Sequence, residues 1–107
     1  MQENRFTKKD WTLFRKNIAV WQESYMDRLN KEYIGLLSED ANPSEKFWRL
    51  DKRLKEDKKK AGVQLEMSRS NLIYNIISLI REGAISFEDL EEFSDGLKET
   101  VSAFIER

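Results

Sequence analysis

The side chains that perform most enzyme chemistry are absent or scattered in this 107-residue sequence. It contains no His and no Cys, so it lacks the commonest general base, the commonest transition-metal ligand and any thiolate nucleophile. Carboxylates are abundant, as in the adjacent Glu91 and Glu92, but acid–base catalysis needs a cleft that drives two pKa values apart. The sequence has no glycine-rich phosphate-binding loop. We therefore expect no enzyme activity, no cofactor and no metal ion.

One short segment has the spacing of a calcium-binding loop without its ligands. Gly83 and the Ile two residues later match the centre of an EF-hand loop, and the first and fifth ligand positions fall on Ser78 and Glu82. The third position is Ile80, which has no side-chain oxygen, and the twelfth is Asp89 where Glu is usual. We interpret the segment as a helix that ends at a glycine, followed by a new serine cap.

The strongest candidate for binding chemistry is a run of cations in the middle of the chain. Residues 43–70 hold nine basic and five acidic side chains, whereas residues 82–107 hold two basic and eight acidic ones, although the net charge is only −1. A basic helix that begins with Phe47 and Trp48 could bind phosphate, stack a base or contact an acidic partner. Because acids are interspersed at helical spacing, the alternative is a solvated face with local ion pairs. The candidate contact residues of this helix, residues 46–60, are Arg49, Lys52, Arg53, Lys59 and Lys60.

The acidic C-terminal part argues against DNA recognition by the last helix. Residues 85–102 have the loose spacing of a helix-turn-helix, with Leu97 at the start of the second helix. A recognition helix must approach phosphates, and DNA repels carboxylates. We therefore interpret this segment as structural.

Four amphipathic segments must position these side chains. The first begins at the capping pair Thr7 and Asp10, and its apolar residues recur every three or four positions, which predicts one helix of about 30 residues. Asn42 and Pro43 predict the start of a second helix, whose last turn holds the lysine run at positions 58–60 and which ends at Gly62.

Two boundaries in the second half of the chain allow alternatives. A serine at position 68 or 70 caps a third helix, and the preceding residues 63–67 fit either an extended segment or an early helical turn. Ser86 begins the last apolar stripe, which forms either one helix or two helices divided at Ser94.

The first helix carries a second apolar stripe opposite its main one. Leu13, Val20 and Ile34 lie on this side at spacings of seven and fourteen residues. A surface helix needs only one apolar face, so the stripe indicates either contact with other segments of the chain or contact with a partner. We expect these three residues to make a homodimer or partner-protein contact.

Short motifs along nearly the whole chain carry a resemblance to a known group of proteins. They are Phe14-Arg15, Trp21-Gln22-Glu23, Tyr25-Met26, Glu32-Tyr33-Ile34, Lys46-Phe47-Trp48, Asp57-Lys58-Lys59, Ser68-Arg69-Ser70 and Asp89-Leu90-Glu91-Glu92-Phe93-Ser94. The sequence resembles a family of small helical bacterial proteins, found mostly in Gram-positive anaerobes and often labelled automatically as multidrug transporters. The resemblance implies a compact helical fold and no active site. The transporter label conflicts with the sequence, because no apolar stretch approaches the roughly 20 residues of a membrane helix.

These observations predict one all-α domain over residues 1–107, with residues 1–6 flexible. The expected fold is a small antiparallel bundle of four helices, the last of them either continuous or split in two. The sequence has no signal peptide, so we expect a cytoplasmic location and no membrane contact. The expected function is a non-enzymatic protein–protein interaction or regulatory module, with a protein partner or a second copy bound. The alternative is a nucleic-acid-binding accessory protein that uses the basic helix 46–60.

Overall fold

Four α-helices make up most of the chain, and the computed structural model describes residues 5–106. None of the described residues forms a β-strand, and no helix among them combines the length and apolar character that a membrane crossing requires. The predicted all-α bundle of four helices is confirmed. The helices are α1 (Lys8–Leu37), α2 (Pro43–Asp57), α3 (Leu72–Arg81) and α4 (Asp95–Ile105), with short 3₁₀ helices at Arg69–Asn71 and Phe87–Leu90.

Helix α1 runs through the whole molecule and begins at the predicted cap. The Thr7 hydroxyl accepts a hydrogen bond from the backbone N–H of Asp10 at 3.0 Å, and the Asp10 carboxylate accepts one from the Thr7 N–H at 2.9 Å. The buried side of the helix follows the predicted three- and four-residue spacing, with Phe14, Ile18 and Leu29 among its buried side chains. The helix therefore offers one apolar face along its length, against which the other segments pack.

The first 20 or so residues of α1 pack with α3 and α4 to form what we call the head, residues 5–28 and 61–106. Its core is a cluster of apolar side chains from α1, α3, α4 and the 3₁₀ helix Phe87–Leu90, together with side chains of the connecting segments. Burial of such a cluster is the main source of stability for a domain of this size. The buried core residues are Phe14, Ile18, Ala61, Leu72, Ile76, Ile77, Leu79, Ile85, Leu90, Phe93, Leu97 and Val101.

Helices α3 and α4 run in the same direction, which differs from the antiparallel arrangement that short turns had indicated. Their N-terminal ends both lie beside residues 5–6, because Arg69 covers the ring at position 6 and Gly96 faces the backbone at position 5. Their C-terminal ends meet where Arg81 donates a hydrogen bond to the carbonyl of Phe104 at 2.9 Å. The segment between them makes the return, so the antiparallel order holds only for α1 and α2.

The C-terminal part of α1 and the antiparallel helix α2 form what we call the arm, residues 29–60. Lys46 donates to the carbonyl of Leu37 near the turn, and Tyr33 donates to Asp57 at the far end of α2. The arm projects beyond the head, which makes the molecule elongated, with extents of 57 × 24 × 23 Å. Within the described α2, Asp57 is the one buried residue, so the arm has no apolar core comparable to that of the head.

Residues 61–68 return the chain from the arm to the head. Gly62 lies against the ring of Tyr25, and the carboxylate of Glu82 accepts hydrogen bonds from the backbone N–H groups of Ala61 and Gly62 at 3.1 and 3.2 Å. Residues 64–68 are neither helix nor strand, so of the two predicted alternatives for residues 63–67 the extended one is closer. Gly83 has a φ of 79° and ends α3 as predicted.

The last segment is divided at Ser94, which is one of the two alternatives that the sequence predicted. The Ser94 hydroxyl accepts a hydrogen bond from the backbone N–H of Leu97 at 3.3 Å and donates one to Asp10 at 2.6 Å. These bonds fix the start of α4 against the start of α1. The predicted flexibility of residues 1–6 falls mostly on residues 1–4, outside the described part of the chain, whereas Phe6 packs against the core.

Candidate protein-interaction surface

Exposed apolar side chains concentrate at the tip of the arm, around the turn between α1 and α2. Ile34, Phe47 and Trp48 are 64%, 62% and 62% exposed, and Leu37 is 43% exposed. Among residues 5–106, eight large hydrophobic side chains are exposed, and these four lie within 15 positions of one another in sequence. The Phe47 and Trp48 rings meet edge to face, 5.0 Å apart at 88°. Exposed apolar side chains are ordinary one at a time, but a cluster indicates a binding surface.

A stripe of three lysines continues from Trp48 along the outer side of α2. Trp48, Lys52, Lys55 and Lys59 follow one another at spacings of four, three and four, so they share one helical face. All four are exposed, and Lys59 extends the spacing into the turn that follows α2. We call these four residues the cationic stripe. An aromatic ring beside several ammonium groups suits a surface that is both apolar and acidic.

The five predicted contact cations divide between this stripe and internal ion pairs. Lys52 and Lys59 belong to the stripe, and neither has a carboxylate partner in the described part of the chain. The other three are held by carboxylates of the arm itself. The predicted set omits Trp48 and Lys55, although their spacing relative to Lys52 and Lys59 is visible in the sequence. The internally paired cations are Arg49 (with Glu39 and Glu45), Arg53 (with Glu32 and Asp57) and Lys60 (with Asp57).

A buried carboxylate fixes the base of the arm. Asp57 accepts a hydrogen bond from the Tyr33 hydroxyl at 2.6 Å, and Arg53 and Lys60 each approach it to 3.2 Å. Burial raises the pKa of the Asp57 carboxyl, but the hydrogen bonds from Tyr33 and Lys60 and the nearby positive charges outweigh burial and lower its pKa. Burial and the hydrogen bond to Asp57 raise the pKa of Tyr33 to about 12. These bonds join α1 to α2 in one geometry and leave the outer face of α2 free.

The second stripe of α1 does not form one continuous surface. Leu13 packs against the core of the head, so it makes the contact within the chain that was the alternative explanation. Val20 and Ile34 are 65% and 64% exposed and lie about 21 Å apart along the helix axis at 1.5 Å per residue. Of the three predicted partner contacts, Ile34 is the one that joins the exposed cluster at the tip of the arm.

An acidic groove lies on the outer face of the head, along α4. Asp95, Glu99, Ser102 and Glu106 line it at spacings of four, three and four, together with Phe87, Lys98 and Ala103. The groove is open and has a volume of about 530 Å³. Its one cation, in the part of the chain described, is Lys98, which lies 3.8 Å from Asp95 and donates to the carbonyl of Glu91. We call this feature the acidic groove.

The described residues show no group of three or more Asp or Glu side chains placed to hold a metal ion. Every buried side-chain nitrogen or oxygen atom among them has a hydrogen-bond partner. The candidate binding features described above lie on the surface. The chain matches no protein family, no curated protein and no solved structure.

Proposed function

We propose that this protein is a non-enzymatic interaction module whose binding element is the α1–α2 arm. The observation that carries the proposal is the exposed aromatic tip continued by the cationic stripe. The partner is a protein with an acidic, partly apolar surface. Phe47 and Trp48 supply the rigid aromatic contacts that dominate many protein interfaces, and the lysines supply charge complementarity.

The construction of the arm supports this function. The head buries an apolar core from three helices, whereas the arm is a pair of helices held together by a polar network at its base. An amphipathic hairpin normally covers its remaining apolar side chains with a further layer. In the described residues no segment covers the tip, so a partner supplies that layer.

Protein is favoured over nucleic acid because both arginines of α2 are already neutralised. Arg49 and Arg53 each contact two carboxylates, and Lys60 contacts Asp57. Phosphate recognition relies on cations that release counterions from the nucleic acid, and paired cations contribute little to that release. Lys52 and Lys59 remain without a carboxylate partner among the described residues, and Lys55 pairs with Asp51 at an exposed site, which suits an acidic protein surface better than a phosphate backbone.

The test compares captured proteins in a native extract. The chain is immobilised as the wild type, as the double variant Phe47→Ser/Trp48→Ser, and as the control Tyr74→Ser, which changes a 70% exposed aromatic residue of the head. We expect proteins that the wild type and the control capture and that the double variant loses, with equal melting temperatures for all three. Identical captured sets for the wild type and the double variant would contradict the proposal.

A further inference from the structure

We infer that the partner of the cationic stripe is the acidic groove of a second copy of this chain. The inference rests on the proposed function of the arm and identifies what the arm binds. Both surfaces follow a helix into the turn after it and have the same spacing: Lys52 and Lys59 lie seven residues apart on one, and Glu99 and Glu106 lie seven residues apart on the other. Seven residues correspond to about 10.5 Å along a helix, and Lys59 and Glu106 lie just past the ends of α2 and α4. Two lysines of one copy therefore match two glutamates of the other in position and in charge.

The two surfaces do not meet within one chain, because no ion pair among the described residues joins Lys52 or Lys59 to Glu99 or Glu106. Helix α2 packs on the C-terminal part of α1, which belongs to the arm, while α4 begins beside Asp10 near the opposite end of α1. Contact between stripe and groove must therefore be intermolecular.

Two copies lying antiparallel, related by a two-fold axis across α1, satisfy both surfaces at once. In that arrangement the arm of each copy lies along the head of the other, and α2 and the partner's α4 point in the same direction. The pairing then aligns Lys52 with Glu99 and Lys59 with Glu106 without reversing the order of the residues. Such an interface uses the same two patches on both copies, which is the usual design of a closed dimer.

The groove also offers apolar surface for the arm. Phe87 is 38% exposed, and it lines the groove beside Ala103. Lysine side chains bury their methylene stems on such surface while their charges stay near carboxylates. The arm brings the exposed Trp48 to the same interface. Surface ion pairs alone contribute little to the free energy of association. Apolar contact between the charged positions adds to that free energy.

A charge-exchange experiment tests the dimer. The arm variant is Lys52→Glu/Lys59→Glu, and the head variant is Glu99→Lys/Glu106→Lys, which leaves Asp95 at the start of α4 unchanged. The matched control is Lys9→Glu/Lys16→Glu, which makes the same change of charge at two exposed α1 positions seven residues apart. Mass is measured by light scattering at low and at high salt, and circular dichroism melts verify that each variant folds.

The wild type and the control are expected to have about twice the 12.8 kDa mass of one chain at low salt and to dissociate as salt screens the charges. The arm variant and the head variant are each expected to be monomeric, and their equimolar mixture is expected to regain the dimer mass, because both contacts are then attractive. A monomeric wild type at low salt, dimeric single variants, or a mixture that stays monomeric would each overturn the inference. A monomeric wild type together with selective loss of captured proteins in the Phe47→Ser/Trp48→Ser variant overturns the dimer and leaves the proposed function standing. Identical captured sets overturn the proposed function itself.

Discussion

Asp57 is the residue on which the geometry of the arm depends most. Its side chain is 3% exposed and contacts Tyr33, Arg53 and Lys60. A buried carboxylate that accepts several charge-assisted hydrogen bonds stabilises the native state, and its loss removes those hydrogen bonds. This side chain helps to fix the orientation of α2, and with it the placement of the cationic stripe, together with the Arg53–Glu32 ion pair and the bond from Lys46 to Leu37.

Replacing Asp57 with Asn is expected to destabilise the protein by about 2 kcal/mol, the usual cost of losing hydrogen bonds to a charged group. The control is Asp51→Asn, because Asp51 pairs with Lys55 at an exposed site, with 39% and 71% of the two side chains accessible. Exposed pairs contribute little, so the control is expected to change stability by less than about 1 kcal/mol. Urea denaturation measures the free energy of unfolding of both variants. Equal decreases would show that the buried Asp57 network contributes no more stability than the exposed Asp51–Lys55 pair.

The same carboxylate gives this prediction a pH dependence. The pKa of Asp57 is lowered in the folded state from its ordinary 3.8, so its contribution is present above pH 3.8 and is lost as the pH falls below that value through the folded-state pKa. The variant lacks this group, so the difference between the wild type and Asp57→Asn is expected to shrink on acidification below pH 3.8. A difference that stays constant there would contradict the assigned pKa direction.

The surroundings of two glycines predict that replacement by alanine changes stability in opposite directions. A methyl group added at Gly62 would clash with the ring of Tyr25, whereas one added at Gly35 in α1 would meet no atom within 4 Å. Gly62→Ala is expected to lower stability by about 1–3 kcal/mol through overpacking. Gly35→Ala is expected to raise it by about 0.5–1 kcal/mol through helix propensity. Thermal melts of both variants check the signs.

At the level of elements, the sequence predicted the helices well because their signals are local. Caps at Thr7 and Ser94 and the terminator Gly83 act through neighbouring backbone groups, and each lies where its pattern indicated. The direction of α4 relative to α3 could not be predicted, because it depends on Asp10 meeting Ser94 across 84 positions. The burial of Leu13 likewise depends on which segments pack on α1.

The candidate site was predictable only in part for the same reason. The cations of α2 are evident in the sequence, but the ion pairs that neutralise Arg53 join it to Glu32, 21 positions away. Helical spacing alone could have selected Trp48, Lys52, Lys55 and Lys59. The acidic groove on α4 was visible as a row of acids, and its apolar side, Phe87, comes from a neighbouring 3₁₀ helix.

The unequal burial of α2 and α3 predicts unequal local stability. Among the residues described, α3 buries five side chains and α2 buries one. Amide groups in elements with few buried contacts open more readily. Hydrogen–deuterium exchange on the diluted protein is therefore expected to be faster in α2 than in α3. Equal protection of the two helices would contradict the description of the arm as a pair without its own apolar core.

At the scale of the whole molecule, charge is separated along a 57 Å axis, with the cationic stripe on the arm and most acids on the head. The net charge of −1 hides this separation. Separated charges of this kind direct association and fix orientation more than they add affinity. The arrangement favours a partner with a matching separation, as a second copy has.

This charge distribution predicts weak binding to nucleic acid. We expect a labelled single-stranded oligonucleotide to bind only at low salt, because three lysines neutralise few phosphates and the acids of the head oppose approach. Fluorescence anisotropy at increasing salt measures this binding. Tight binding at physiological salt that is lost in the Lys52→Glu/Lys59→Glu variant would favour the nucleic-acid function instead.

The most direct test of self-association through the arm uses the three tryptophans of the chain as internal probes. Trp11 and Trp21 pack against the core of the head, whereas Trp48 lies exposed at the tip of the arm. Each gives one indole N–H signal in a nitrogen-15 NMR spectrum, and Trp48→Phe assigns the signal of Trp48. As protein concentration rises at low salt, the Trp48 signal is expected to shift while the other two stay in place. A Trp48 signal that does not move, or shifts confined to Trp11 and Trp21, would contradict self-association through the arm.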